Sequence, residues 1–147
     1  MNAAISPAAV VVRRTIAAQP EVLFDAWLDP EALAIWMRPG ATPKTVATVD
    51  ARVGGRYEIV MHLESGSTVP HTGVYRTIDR PRRLAFTWLS PHTDKRDTLV
   101  TVDFVARGSN TEIIVTHEQL PENEMSGHEK GWTSALEKLA AKYGAAA

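Results

Sequence analysis

Apolar and polar residues alternate along this chain in several short runs between residues 10 and 117. A period of two is typical of β-strands that bury one face, and β-branched residues are frequent in these runs. Turn-forming residues separate most of the runs at intervals of roughly 8–12 residues, which predicts an antiparallel sheet. The strands predicted in this way span residues 10–16, 44–49, 56–63, 72–78, 84–89, 98–105 and 111–117.

Helical patterns occupy two other parts of the chain. Pro20 begins a helix that runs to Leu28, and Asp29 caps a second short helix that starts at Pro30 and ends near Trp36. Between residues 122 and 143 the apolar period is 3.6, so that one stripe falls within an arc of roughly 100°. The stripe consists of His128, Trp132, Ala135, Leu136, Leu139 and Tyr143.

The order of these elements is one strand, two short helices, six strands and one long helix. It predicts an α+β protein in which one curved antiparallel sheet wraps around the C-terminal helix. This arrangement is the helix-grip fold, and we expect it to form a single domain over residues 1–147. Such a fold can leave a cavity between the sheet and the helix.

Inward-facing residues of the predicted strands and of the long helix are the candidates for lining this cavity. A small, mostly apolar ligand needs an apolar wall and a few polar groups that orient it. The predicted wall residues are Tyr57, Ile59, Met61, Phe86, Trp88, Val102 and Trp132. The predicted orienting residues are Tyr75, His117 and His128. We also expect Gly131 to let the helix approach the sheet closely, at a cost of about 1 kcal/mol in helix propensity.

His117 and His128 also suggest a chemical role. Two histidines with Glu118 and Glu129 beside them could indicate a metal site or general acid–base catalysis. Strand and helix periodicity place both glutamates on other faces, and neither histidine has a partner at HxH or HxxxH spacing. We therefore predict no metal site, no cofactor and no catalytic residue, and a structural or pocket-lining role for both histidines.

Composition excludes several other classes of function. The formal charge of −1, from 16 basic and 17 acidic residues, provides no general field for nucleic acid. The chain has no cysteine, which excludes disulfides and thiolate chemistry. The apolar run at residues 8–12 is too short to span a membrane and follows no basic residue. We therefore expect a cytoplasmic protein.

Several motifs along nearly the whole chain resemble one known family, from about Val10 to Tyr143. They lie at residues 14–18, 20–22, 26–31, 36–39, 54–57, 73–75, 81–88, 111–117 and 128–132. In this number and order they resemble the AHSA-type proteins, which are homologues of the activator of the ninety-kilodalton heat-shock chaperone's ATPase. That family belongs to the START-like superfamily, also called SRPBCC.

The resemblance implies a helix-grip fold with a hydrophobic cavity, often in a homodimer. It implies little about activity, because relatives include lipid carriers, cyclases and hormone-binding proteins. The chaperone activator also has an N-terminal domain, for which a chain of 147 residues has no room. We therefore do not expect this chain alone to stimulate a chaperone's ATPase strongly.

Three hypotheses about function remain open at this point. The leading one is a non-enzymatic protein that binds a small apolar or amphipathic molecule between the sheet and the last helix. The second is a cyclase- or hydrolase-like enzyme that uses His117 or His128 as a general base in the same cavity. The third, based on the resemblance alone, is a stress-linked chaperone partner that acts through its surface.

Overall fold

Seven antiparallel strands form one curled sheet in the computed structural model, which describes residues 9–144. The strands are β1 (Val10–Ile16), β2 (Lys44–Val49), β3 (Arg56–His62), β4 (Thr68–Asp79), β5 (Arg83–Trp88), β6 (Thr98–Arg107) and β7 (Asn110–Glu118). The helices are α1 (Pro20–Ala26), α2 (Pro30–Trp36) and α3 (Met125–Tyr143). The prediction of one domain over residues 1–147 extends beyond the described residues and stays a prediction.

The order of strands in the sheet is β1-β7-β6-β5-β4-β3-β2, and every neighbouring pair is antiparallel. Strand β1 pairs with the last strand, β7, while the other strands follow one another along the chain. The two short helices lie between β1 and β2 in sequence. This topology confirms the predicted α+β helix-grip fold.

Helix α3 packs its predicted stripe against the sheet. Trp132, Ala135, Leu136 and Leu139 are all buried, and none exposes more than 4% of its surface. The inward residues of β6 and β7 alternate with half-exposed ones, as a period of two requires. In the part of the chain that the structure describes, no helix is long and apolar enough to cross a membrane.

Most strands differ from the sequence-based prediction by one or two residues at one end or both, and three other differences concern α1, α3 and β4. Helix α1 ends at Ala26, because Trp27 serves as its C-cap. A short 3-10 turn, Glu122–Glu124, precedes α3, so the predicted final helix is divided in two. Strand β4 begins at Thr68, four residues before the predicted start, because residues 68–71 continue the pairing with β3. That extension places a buried histidine, His71, inside the strand.

Aromatic rings fill the middle of the sheet. The ring centroids of Tyr57 and Phe86 are 5.6 Å apart in an edge-to-face arrangement, and Trp27 contacts Trp36 at 4.7 Å. The hydroxyl of Tyr57 donates a hydrogen bond of 2.5 Å to the carbonyl oxygen of Thr87. This bond crosses above Gly73 of β4, where a Cβ atom would lie 2.6 Å from the Tyr57 hydroxyl and would overlap the Thr87 carbonyl.

The Gly73→Ala substitution should therefore lower the free energy of unfolding by about 1–3 kcal/mol, because the added methyl group forces the Tyr57 ring from its position. Urea unfolding at neutral pH measures the change. Gly131→Ala is the matched control, since the nearest atom to its new Cβ is Pro39 Cβ at 4.0 Å. That control should gain up to about 1 kcal/mol from helix propensity. Equal stability of the two variants would contradict this account of Gly73.

Candidate functional site

A cavity of about 330 Å³ lies at one end of the curled sheet, beneath the first half of α3. The ends of β3, β4 and β5 form one wall, α3 forms the opposite wall, and the segment between α2 and β2 contributes Pro39 and Thr42. Its apolar lining residues are Met37, Pro39, Met61, Leu63, Val69, Trp88, Trp132 and Ala135. The site is therefore a mostly apolar pocket with polar groups at a few positions.

Two glycines of α3 help to form the empty space. Gly127 and Gly131 are one helical turn apart, and both line the cavity. A Cβ added at Gly127 would meet no atom within 4 Å, and one added at Gly131 would meet only Pro39 Cβ at 4.0 Å. The expectation that Gly131 lets the helix approach the sheet closely is therefore wrong. It faces the cavity and the segment that contains Pro39.

That segment, residues 37–43, is fixed to α3 by polar side chains of the helix. The Ser134 hydroxyl accepts a hydrogen bond of 2.7 Å from the Gly40 amide. The Lys138 ammonium group donates to the carbonyl oxygens of Arg38 and Gly40. These contacts hold one wall of the cavity in place, because they satisfy backbone groups that would otherwise need water.

His71 provides a polar group on the strand side of the cavity. Its Nδ1 lies 3.1 Å from the carbonyl oxygen of Ile59 and must be the protonated nitrogen, because a carbonyl only accepts. The ring is 6% exposed and packs against Trp88 at a centroid distance of 4.7 Å. Burial, and to a smaller extent the nearby His128 and His92, lower the pKa of His71 to about 4. His71 is therefore neutral at physiological pH.

His128 provides a second polar group, from the first turn of α3. Its Nδ1 lies 2.8 Å from the carbonyl oxygen of Glu124, so this nitrogen also carries the proton. His92, Glu124 and Thr42 complete the polar lining, with 3.9 Å between His92 Nδ1 and Glu124 Oε1. Neither lysine nor arginine lines the cavity within residues 9–144.

His117 does not line the cavity, and both of its ring nitrogens form hydrogen bonds within the protein. The Trp132 indole N–H donates to Nδ1 at 3.1 Å, which leaves the proton of the neutral ring on Nε2. That Nε2–H donates to the Thr98 hydroxyl at 2.7 Å, and the hydroxyl donates to the Trp88 carbonyl at 2.6 Å. Burial, followed by the nearby His128 and His71, lowers the pKa of His117 to about 3.

The structure distributes the residues predicted for the site over three places. Met61, Trp88, His128 and Trp132 line the cavity. Tyr57, Ile59, Tyr75 and Phe86 surround a second space deeper in the sheet. Val102 and His117 line neither space. The deeper space has a volume of only about 10 Å³, which is the lower limit for one water molecule.

Two buried indole N–H groups lack a hydrogen-bond acceptor among the described residues. They belong to Trp27 and Trp88, and both side chains line the deeper space. Trp88 also lines the larger cavity, so its ring separates the two. A buried donor without a partner costs about 1–3 kcal/mol, which favours a polar atom of a water or a ligand beside it.

Sequence reasoning missed four polar residues of the cavity, namely Thr42, His71, His92 and Glu124. The sequence could have revealed His71, because this residue lies on the same face of β4 as Gly73 and Tyr75 when the strand is taken to begin at Thr68. His92 lies in an irregular turn, Pro91–Thr93, and its place depends on tertiary structure.

No group of three or more potential metal ligands occurs within the described part of the chain.

Comparisons with known proteins agree with this architecture. Protein CV1439 from Chromobacterium violaceum is 26% identical, with a TM-score of 0.82 over 92% of this chain and 96% of that chain. A protein from Rhodobacter sphaeroides is 23% identical, with a TM-score of 0.79 over 91% of each chain. An HSP90 activator from Plasmodium falciparum is 24% identical, with a TM-score of 0.72 over 92% of this chain and 96% of that chain. A comparison with curated proteins finds no match.

The fold and the cavity under the C-terminal helix define a helix-grip protein of the START-like class. The family model described as "Activator of Hsp90 ATPase homolog 1-like protein" matches residues 17–144. The chain belongs to this AHSA1 family, as its sequence motifs predicted.

Stability should fall as the pH decreases from about 6.5 towards 4, because the unfolded chain then binds protons that the folded chain excludes from His71 and His117. Each histidine contributes a slope of up to about 1.4 kcal/mol per pH unit in this window, and the full stability is present above it. Urea unfolding between pH 7.5 and pH 5 measures the slope before most carboxylates titrate.

The His117→Gln variant tests the assignment, because an amide can bond to both neighbours but does not titrate in this range. Its slope should be clearly smaller than that of the parent protein. His62→Gln is the control, since His62 is half-exposed and lines neither cavity. A slope that His117→Gln leaves unchanged would contradict the assignment.

Proposed function

We propose that this protein binds a small, uncharged and mostly apolar molecule in the cavity between the sheet and α3. The observation that carries the proposal is a pocket of about 330 Å³ whose wall is mostly apolar and holds no lysine or arginine among the described residues. The volume lies at the lower end of the range for small-molecule sites. The family match supports a binding fold, and the identity of the ligand rests on the cavity alone.

The size of the cavity limits the ligand. An apolar cavity of about 150 Å³ is enough to hold benzene, so roughly twice that volume suits a molecule with one or two rings. Trp88 and Trp132 give the wall two aromatic faces, with 5.1 Å between their centroids. Flat aromatic or alicyclic molecules can pack on such faces with little loss of side-chain entropy.

The enzymatic alternative has less support. His117 was one of its two candidate bases, but both ring nitrogens of His117 already have partners in the protein. His71 faces the cavity, yet a base whose conjugate acid has a pKa of about 4 is a poor proton acceptor at neutral pH. His128 remains the one predicted base that reaches the cavity.

The proposal also includes an oligomeric state and a cellular location. We expect a homodimer, which sedimentation at high micromolar concentration tests, and we expect the cytoplasm as the location.

Binding to a heat-shock chaperone remains an alternative function, because the family description and the Plasmodium relative both refer to such an activator. The cavity gives no separate support to that role.

Naphthalene is a suitable probe for the proposed pocket. Its addition should shift the indole N–H signals of Trp88 and Trp132 saturably in 15N–1H correlation spectra. The Trp36 signal should move little, since this N–H is bonded to the carbonyl oxygen of Ala26 at 2.9 Å outside the cavity. Gly131→Leu should weaken binding by about tenfold or more, because the new side chain projects into the cavity.

The control places the same side chain on an exposed position of the same helix. Thr133→Leu does so without entering the cavity, and it should leave naphthalene binding unchanged. Urea unfolding of both variants establishes that each is folded. Absence of saturable binding to the parent protein would overturn the proposal, as would equal affinity in the parent protein and a folded Gly131→Leu variant.

A further inference from the structure

We infer that the ligand carries a hydroxyl group, or another hydrogen-bond donor, on its apolar body, and that the imidazoles of His71 and His128 are the two alternative acceptors of this donor. The inference rests on the proposed function, because it describes the polar recognition within the same cavity. It goes beyond that function by stating which ligands the pocket should prefer and which it should reject.

The first argument is the tautomer of His71. A backbone carbonyl holds its Nδ1–H, so the remaining nitrogen, Nε2, has a lone pair and no proton. No hydrogen-bond donor among the described residues reaches that nitrogen, and the ring lines the cavity. An acceptor that has no protein donor and lines a mostly apolar cavity favours a ligand that donates to it.

The second argument is that His128 repeats the same arrangement from the opposite wall. Its Nδ1–H is held by the carbonyl of Glu124, and its Nε2 has no partner among residues 9–144. The two histidines lie on different elements, β4 and α3, and the cavity is between them. The pocket thus offers imidazole acceptors on both of its walls.

The third argument concerns the donors that the cavity does not offer. The indole N–H of Trp132 is bonded to His117, and no lysine or arginine lines the described cavity. The nearest carboxylate, Glu124, would repel an anion. A carboxylate or an ether lacks the hydrogen that the imidazoles require.

Three probes of the same ring size test the inference. They are 2-naphthol, which donates, 2-methoxynaphthalene, which only accepts, and 2-naphthoate, which is an anion at neutral pH. Dissociation constants come from titrations followed by the indole signals. We expect 2-naphthol to bind about three- to tenfold more tightly than 2-methoxynaphthalene, because one additional hydrogen bond increases affinity by about this factor. We expect 2-naphthoate to bind most weakly of the three.

A hydroxyl hydrogen donates to one acceptor at a time, so the double variant His71→Leu with His128→Leu should lose this roughly three- to tenfold preference for 2-naphthol while retaining binding of 2-methoxynaphthalene. Each single variant should lose the preference only in part. His71→Leu also removes the bond to Ile59, so the tautomers of the histidine rings decide the test if the double variant fails to fold. His62→Leu is the matched control, because this histidine does not line the cavity and should leave the preference unchanged.

Long-range 15N–1H spectra of the histidine rings provide a readout that is independent of binding. They should show the proton on Nδ1 in His71 and His128, and on Nε2 in His117. The opposite tautomers would overturn the inference, as would an unchanged preference in the folded double variant. Equal binding of 2-naphthol and 2-methoxynaphthalene would also overturn it but leave the proposed function intact. Failure of every probe to bind the parent protein would overturn both.

Discussion

Helix α3 is joined to the sheet by one buried chain of hydrogen bonds, which runs from Trp132 through His117 and Thr98 to the backbone of Trp88. Each member donates to the next or accepts from it, so the tautomer of His117 and the orientation of the Trp132 indole are fixed together. These hydrogen bonds link α3 to β7, β6 and β5, and therefore set the distance between the helix and the concave face of the sheet. The cavity exists because that distance is fixed while Gly127 and Gly131 carry no side chain.

The hydrogen bonds of the three histidines near the helix differ, and so do the roles of these residues. His117 uses both nitrogens within the protein, whereas His71 and His128 each use one nitrogen within the protein and line the cavity. Burial, and to a smaller extent the nearby His128, lower the pKa of both His71 and His117 and keep these two rings neutral. Neutral rings of this kind are compatible with uncharged ligands.

Much of the fold could be predicted because the period of the apolar residues changes clearly from two to 3.6 along the chain. The stripe from His128 to Leu139 predicted the face of α3, and four of the ten predicted ligand contacts lie at the cavity. The others could not be placed from periodicity, which shows the face of a residue but not the space beside it. Tyr57, Tyr75 and Phe86 point inward as predicted, yet their rings pack against one another and fill the centre. His71 was missed because its part of β4 was not recognised as strand.

Gly127 and Gly131 leave the cavity open at a cost to helix stability. Each glycine within the helix costs up to about 1 kcal/mol relative to alanine, and alanine would fit at both positions without a steric conflict. Their helical conformations have negative φ values, so neither position needs glycine for its backbone. Fold stability alone would favour larger residues, since filling a cavity adds apolar contacts as well as helix propensity. The space therefore persists at a cost to stability, and the proposed ligand binding would account for both glycines at once.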